Sequence, residues 1–173
     1  MKLKIYEDLA GSILDIGGGG ECVIGQIFGD QVIAIDNRQE ELDEAPNCCE
    51  KRLMDATELL FEDYSFDNVT FFYSLMYMSR DTQIKAIHEA MRVLKRGGKC
   101  YIWDTDIQPA YPEPFIIDLD IVSDKLMIHT SYGIVTDEAQ DADTILKFTM
   151  ESGIVRLRFE RTADQFLLVL KKA

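Results

Sequence analysis

Residues 11–21, Gly-Ser-Ile-Leu-Asp-Ile-Gly-Gly-Gly-Gly-Glu, constrain this chain more than any other stretch. A short apolar run containing Asp15 leads into four consecutive glycines, Gly17 to Gly20, and a mixed segment opens at Glu21. That order predicts a strand, a tight turn and a helix. Glycines at such a turn accept positive φ and leave no Cβ between backbone and ligand. The turn also delivers a helix N-terminus, whose free N–H groups point outward. A tight turn needs fewer glycines than this, so the run points to a ligand site.

Two nucleotide readings compete for that site. A dinucleotide fingerprint wants G-x-G-x-x-G; Gly17 and Gly19 fit, but the third position falls on Cys22. A P-loop wants a Gly-Lys-Ser/Thr ending, which is absent. Asp15 lies directly before the turn. An ionised carboxylate only accepts hydrogen bonds, so it suits a cationic ligand, or one rich in hydroxyl and amino donors, better than a pyrophosphate.

Apolar segments repeat along the chain. Strands are expected at Ser12–Ile16, Val32–Asp36, Glu50–Met54, Asp67–Tyr73 and Lys99–Trp103. All but the mixed Glu50 segment are short and rich in Val, Ile, Leu, Phe or Tyr, as buried parallel strands are. A helix from about Arg80 to Leu94 shows Ile84, Ile87, Met91 and Leu94 at helical spacing, with Gly97-Gly98 as its stop. Beyond Trp103, Pro109, Pro112 and Pro114 break the pattern. Phe115–Val122 and Leu126–Val135 then read as a hairpin turning near Ser123-Asp124-Lys125. Thr144–Glu151 reads as a helix ended by Gly153, and Ile154–Glu160 with Gln165–Leu170 as a final hairpin. Alternation of this kind predicts a doubly wound α/β sheet.

The 173 residues suffice for one domain with one core. No apolar stretch approaches the roughly 18–20 residues of a membrane span, and the first eight residues lack the apolar region of a secretory signal. A cytoplasmic protein is expected. The net charge of −13 disfavours nucleic acid, whose binders carry basic patches. Of the four cysteines, Cys100 lies in an apolar strand and reads as core. Cys22, Cys48 and Cys49 form no C-x-x-C pair, so no metal site is expected. Adjacent Cys48 and Cys49 are awkward disulfide partners, and no redox role is expected.

Leu14-Asp15-Ile16-Gly17-Gly18-Gly19-Gly20 resembles the first motif of class I S-adenosylmethionine-dependent methyltransferases. Further segments resemble that family in order: Gln31–Asp36, its second strand; Met54-Asp55-Ala56, its adenine-contacting segment; Ser65–Val69 with Tyr73-Ser74-Leu75, its fourth strand and exit; and Glu89–Ile102, its helix, glycine turn and fifth strand. The resemblance implies a Rossmann-like, mostly parallel sheet of seven strands in the order 3-2-1-4-5-7-6. Residues 108–140 would be a β-hairpin insertion after the fifth strand of a single domain, 1–173. The first of these strands comes early in the sequence, so the N-terminal helices that often roof the cofactor in that family are expected to be missing or vestigial. The family often has another glycine where Glu21 stands.

The resemblance also assigns roles. Gly17 and Gly19 would let the backbone approach the methionine part of S-adenosylmethionine. Asp15 would accept from its ammonium, and Asp36 from both ribose hydroxyls, with Asn37 or Arg38 on the adenine face. Asp55 would accept from the adenine amino group beside Ala56, and Ser74 and Leu75 would line the methionine pocket. Asp15, Asp36 and Asp55 would otherwise cap turns, as Asp readily does. A methyl acceptor needs a general base only if it is protonated; Asp104, Asp106 and His129 are candidates. Asp104 and Asp106 would otherwise solvate a loop, and a lone strand histidine is more often packed. Tyr73 and Tyr77 would shape the acceptor pocket.

The expected function is methyl transfer to a small molecule, with a protein acceptor as a variant. A cofactor-binding module, or a subunit whose roof comes from a partner chain or a homodimer, remains open. A nicotinamide-dependent oxidoreductase fails on glycine spacing.

Overall fold

The strand Ile13–Ile16, with all four residues buried, lies near the centre of the molecule. Its place is clearest with the other elements named in chain order, as a computed structural model describes them for residues 2–149 and 153–173. They are β1 (Lys2–Lys4), β2 (Ile13–Ile16), α1 (Val23–Phe28), β3 (Val32–Asp36), α2 (Gln39–Glu44), β4 (Glu50–Leu53) and β5 (Phe66–Phe72). Then come α3 (Arg80–Val93), β6 (Leu94–Thr105), β7 (Phe115–Val122), β8 (Met127–Ile134), α4 (Ala142–Thr149), β9 (Ile154–Thr162) and β10 (Gln165–Lys172).

Seven strands form one sheet in the order β4-β3-β2-β5-β6-β10-β9. Numbered within this sheet alone, the order is 3-2-1-4-5-7-6. The pairs among β4, β3, β2, β5 and β6 are parallel, and β10 runs antiparallel to both β6 and β9. The sheet has a core on each face. β10 shows why: Phe166, Leu168 and Leu170 join the core built with α3 and Ile145 of α4, while Leu167 and Val169 point to the other face. Residues of alternate parity on one strand must serve opposite faces.

The other face carries α1 and a second sheet of three strands, β1-β7-β8. Ile117, Leu119 and Ile121 of β7 are buried against it, and the residues between them are exposed. β1 runs parallel to β7, with Lys2 opposite Asp120. The Phe115–Val122 hairpin is present. Its third strand, β1, was not among the expected elements.

The expected Gly97-Gly98 stop is corrected. α3 ends at Val93, and Leu94 already pairs with Phe66. The register then jumps, with Asn68 opposite Lys99, so residues 95–98 bulge out of β6. Gly97 takes φ +78°, and a Cβ on Gly98 would stand 2.8 Å from the Asp67 carbonyl. The glycines serve a bulge. The other expected helix, Thr144–Glu151, is observed as Ala142–Thr149; its last residues lie outside the described ones.

Arg92, on the last turn of α3, holds the segment before β5. Its guanidinium donates to the carbonyls of Leu59 and Phe61 and to Glu89 and Asp63. Truncation would leave carbonyls without their charged donor. Arg92→Ala is expected to lower the urea midpoint by the equivalent of about 2 kcal/mol with an unchanged m-value.

Candidate functional site

The candidate site lies along the carboxyl ends of the parallel strands, where strand order reverses between β2 and β5. Register sets Asp15 of β2 beside Thr70 of β5, and the Thr70 hydroxyl donates to its Oδ1 at 2.6 Å. Asp15 is fully buried. Burial chiefly, and the charge of Asp36 besides, push it up to about 7 against the pull of the Thr70 hydrogen bond.

The glycine turn is wedged among side chains. A Cβ on Gly17, which takes φ +76°, would lie 2.4 Å from Ser74 Cβ. On Gly18 it would meet Asp15 Oδ2 at 2.4 Å, and on Gly19 Glu41 Cβ at 2.5 Å and Asp36 Oδ2 at 2.8 Å. The turn's amides also face inward: Gly17 and Gly18 donate to the Ile35 carbonyl, Gly20 to that of Glu41 and Cys22 to that of Gly19. These bonds engage the turn's own amides; the helix whose N-terminus the turn delivers begins at Val23. β2, β3 and the start of α2 close on one another here, which is what absent side chains permit.

One chain of contacts therefore joins the expected residues. Ser74 donates to the Ile16 carbonyl at 2.7 Å and packs against Gly17; Gly19 packs against Asp36; and the Asp36 carbonyl accepts from Met54, next to Asp55. Asp36 Oδ1 accepts from the Arg38 amide, and Arg38 pairs with Glu41. Asp55 is exposed and accepts from the Thr57 amide and hydroxyl at 2.7 Å, so it does cap its turn. Asn37 and Ala56 follow these two acids directly.

None of the base candidates joins this chain of contacts. Asp104 does not solvate a loop: it is fully buried at the end of β6, accepting from the Thr105 and Met76 amides and from Gln140. Burial pushes it up to about 7. Asp106 accepts from the Ala142 amide and pairs with Arg161. His129 is not packed either; it is exposed on β8 and paired with Asp120 across the hairpin.

The second sheet comes down on the rim. Tyr132 of β8 stacks on Tyr73 at 5.3 Å, Thr130 donates to Glu21 at 2.6 Å, and the Gly133 amide donates to the Tyr77 hydroxyl. Tyr73 takes a left-handed φ of +51° and carries a buried hydroxyl with no partner among the described residues. At the exits of β5 and β6 is a cavity of about 260 Å³ lined by Met76, Tyr77, Gln83, Ile107, Ile134 and Gln140, among others.

A family model described as a methyltransferase domain matches residues 14–102. The chain belongs to the class I S-adenosylmethionine-dependent methyltransferases. S-adenosylmethionine is the cofactor of that family, and methyl transfer its reaction. Solved structures agree on the fold of this methyltransferase. A protein of Pyrococcus horikoshii OT3 is 18% identical, with 94% of this chain and 83% of that one covered at a TM-score of 0.66. An S-adenosylmethionine-dependent methyltransferase from Clostridium acetobutylicum is 18% identical, with 94% and 84% covered at 0.65. The glycopeptide N-methyltransferase MtfA, complexed with S-adenosyl-L-homocysteine, is 13% identical, with 97% and 85% covered at 0.65. No curated protein matches.

The rim's chemistry fits the cofactor. The buried Asp15 has one hydroxyl donor and a second acid, Asp36, nearby. A cation placed there would offset the cost of burying a carboxyl group. Glu41, Thr130, Tyr132 and Gln140 of the methyltransferase were not read from sequence as site residues. Only Glu41, five residues past Asp36 at the opening of α2, stood close enough to a motif to be found.

Proposed function

We propose that this methyltransferase carries a methyl group from S-adenosylmethionine to a small-molecule acceptor held in the cavity beside Tyr77 and Gln140. The size of that cavity carries the reading. About 260 Å³ lies below the roughly 300–1,000 Å³ of a drug-sized site, so it suits a compact nucleophile. The acidic rim and the net charge of −13 disfavour a polyanion.

The cofactor supplies a methyl group already activated on a sulfonium. The chain's part is to bind and to orient. Asp15 accepts from the ammonium and Asp36 from the ribose hydroxyls, with Asn37 beside it. Asp55 and Ala56 take the adenine edge. Gly17, Gly19 and Ser74 bring the backbone close to the methionine part. Asp104 acts as a positioning residue: it fixes Gln140 and the Met76 amide, both at the cavity wall. Proximity and alignment then account for the rate. In this reading residues 108–140 are an insertion in a single domain, and the sheet they build with β1 is the roof.

Calorimetric titration tests it. Both S-adenosylmethionine and S-adenosylhomocysteine are expected to bind well below millimolar. Asp36→Ala removes a charged acceptor of two hydroxyls and is expected to weaken both by at least about tenfold. Asp36→Asn, which keeps the bond to the Arg38 amide, separates lost charge from a lost turn. Unchanged affinity in both variants would remove Asp36 from the ribose. Transfer of labelled methyl to a panel of small amines, alcohols, thiols and carbon acids, with no product from the purified chain, would favour a binding module instead.

A further inference from the structure

Cys22 and the adjacent pair Cys48 and Cys49, more than twenty residues later, meet on one side of α1. Cys22, in a left-handed conformation (φ +49°), immediately precedes the helix. Cys48 and Cys49 precede β4, where the Cys48 amide donates back to the Pro46 carbonyl. That bend brings neighbouring side chains, which an extended strand would send to opposite faces, to the same place. Cys22 Sγ lies 3.5 Å from Cys49 Sγ and 3.8 Å from Cys48 Sγ. All three sulfurs are within 4.8 Å of one another.

Gly25 makes the room. A Cβ there would stand 2.5 Å from Cys22 Sγ, 2.6 Å from Cys49 Sγ and 3.1 Å from Cys48 Sγ. The three sulfurs thus sit over the bare flank of one helical glycine. Cys22 is buried, while Cys48 and Cys49 are half-buried and leave a path from solvent.

We propose that Cys22, Cys48 and Cys49 form a three-thiolate site for a thiophilic closed-shell metal ion of the zinc(II) type. Two sulfurs bound to one tetrahedral zinc at about 2.3 Å lie about 3.8 Å apart, close to the 3.5 and 3.8 Å that Cys22 already keeps to the other two sulfurs. Soft thiolates favour zinc over hard cations. A water or other small ligand completes the fourth position on the half-buried side. Three S–H bonds give way to three S–Zn bonds, and three protons pass to solvent. Affinity therefore rises with pH. The bound ion would clamp the end of the glycine turn to the approach of β4. This site is independent of the cofactor and acceptor assignments.

The test is zinc titration of the reduced, metal-free full chain against a chromophoric chelator, with cobalt(II) as a spectroscopic substitute. One zinc per chain, a sulfur-to-cobalt charge-transfer band and a higher melting temperature are expected. Cys22→Ser, Cys48→Ser and Cys49→Ser should each weaken binding by roughly two orders of magnitude. Cys100→Ser, in the opposite core, should leave it unchanged. Gly25→Ala favours the helix yet displaces the sulfurs, so it should fold and lose the metal. Failure of the reduced parent chain to bind zinc, or equal binding by the three serine variants, overturns the proposal. So does isolation of a Cys22–Cys49 disulfide whose reduction yields no zinc uptake.

Discussion

Gly17→Ala is expected to remove about 2–5 kcal/mol of stability, from a left-handed alanine at about 1–2 and an overpacked contact at about 1–3. Against a total of about 5–15 kcal/mol for a domain, that is a large share of the chain's stability. Both contributions come from one position: φ is +76°, and the new methyl would stand 2.4 Å from Ser74 Cβ. They can be separated. Ser74→Gly costs its hydrogen bond to the Ile16 carbonyl, but it also clears the space. In a double-mutant cycle read by urea unfolding, the pair should be less destabilised than the sum of the single variants, by about 1–3 kcal/mol. A Gly17→Ala chain within about 0.5 kcal/mol of the parent would mean the turn is looser than described.

The second large effect is a dependence of stability on pH. Asp15 and Asp104, ordinarily near 3.8, are both pushed up to about 7 by burial. The folded chain thus holds these two protons where the unfolded chain has released them. Stability falls as pH rises from about 4 to about 7 and levels off above that. Each group contributes a slope of up to about 1.4 kcal/mol per pH unit, on the order of 4 kcal/mol over the window. Repulsion within a chain of net charge −13 acts in the same direction. Other acids oppose it at lower pH. Asp67 is held at about 2 by Lys95 and Ser12, Glu89 below its usual value by Arg92, and Asp55 by the Thr57 amide. Their contributions are lost as pH falls through those lowered values. Maximum stability is therefore expected near pH 4–5, with several kcal/mol lost by pH 8. Asp15→Asn should keep an acceptor for Thr70 and flatten the slope between pH 5 and 7. A profile that is flat or rising from pH 5 to 8 would contradict the burial of both carboxyl groups.

What could be read from sequence was what is local. The apolar runs and the glycines at Gly17–Gly20 carry strand, turn and helix within one window, and Asp36 and Ser74 fall at strand ends by counting along the runs. The misreadings have distant causes. β1 is only Lys-Leu-Lys, too short for alternation to mark, and it exists because Asp120–Val122 pairs with it. Gly97-Gly98 after an amphipathic pattern reads as a helix end; the bulge depends on Asp67 in the neighbouring strand. Asp104 next to Thr-Asp reads as a loop, and Gln140, 36 positions later, is what helps bury it. The thiol cluster follows no ligand spacing because a bend at Pro46 and a helix more than twenty residues earlier assemble it.

Trp103 is the one tryptophan of the chain. It is buried in β6 directly before Asp104, lies flat against Tyr101 at 5.5 Å, and tilts onto Phe72, whose ring also reaches Tyr132 of the roof. Its fluorescence is thus a built-in optical gauge of whether the second sheet is seated on the first. Lifting of the roof would admit water and redden the emission without melting the main sheet, so a single dye-free signal can follow opening of the site in stopped-flow mixing.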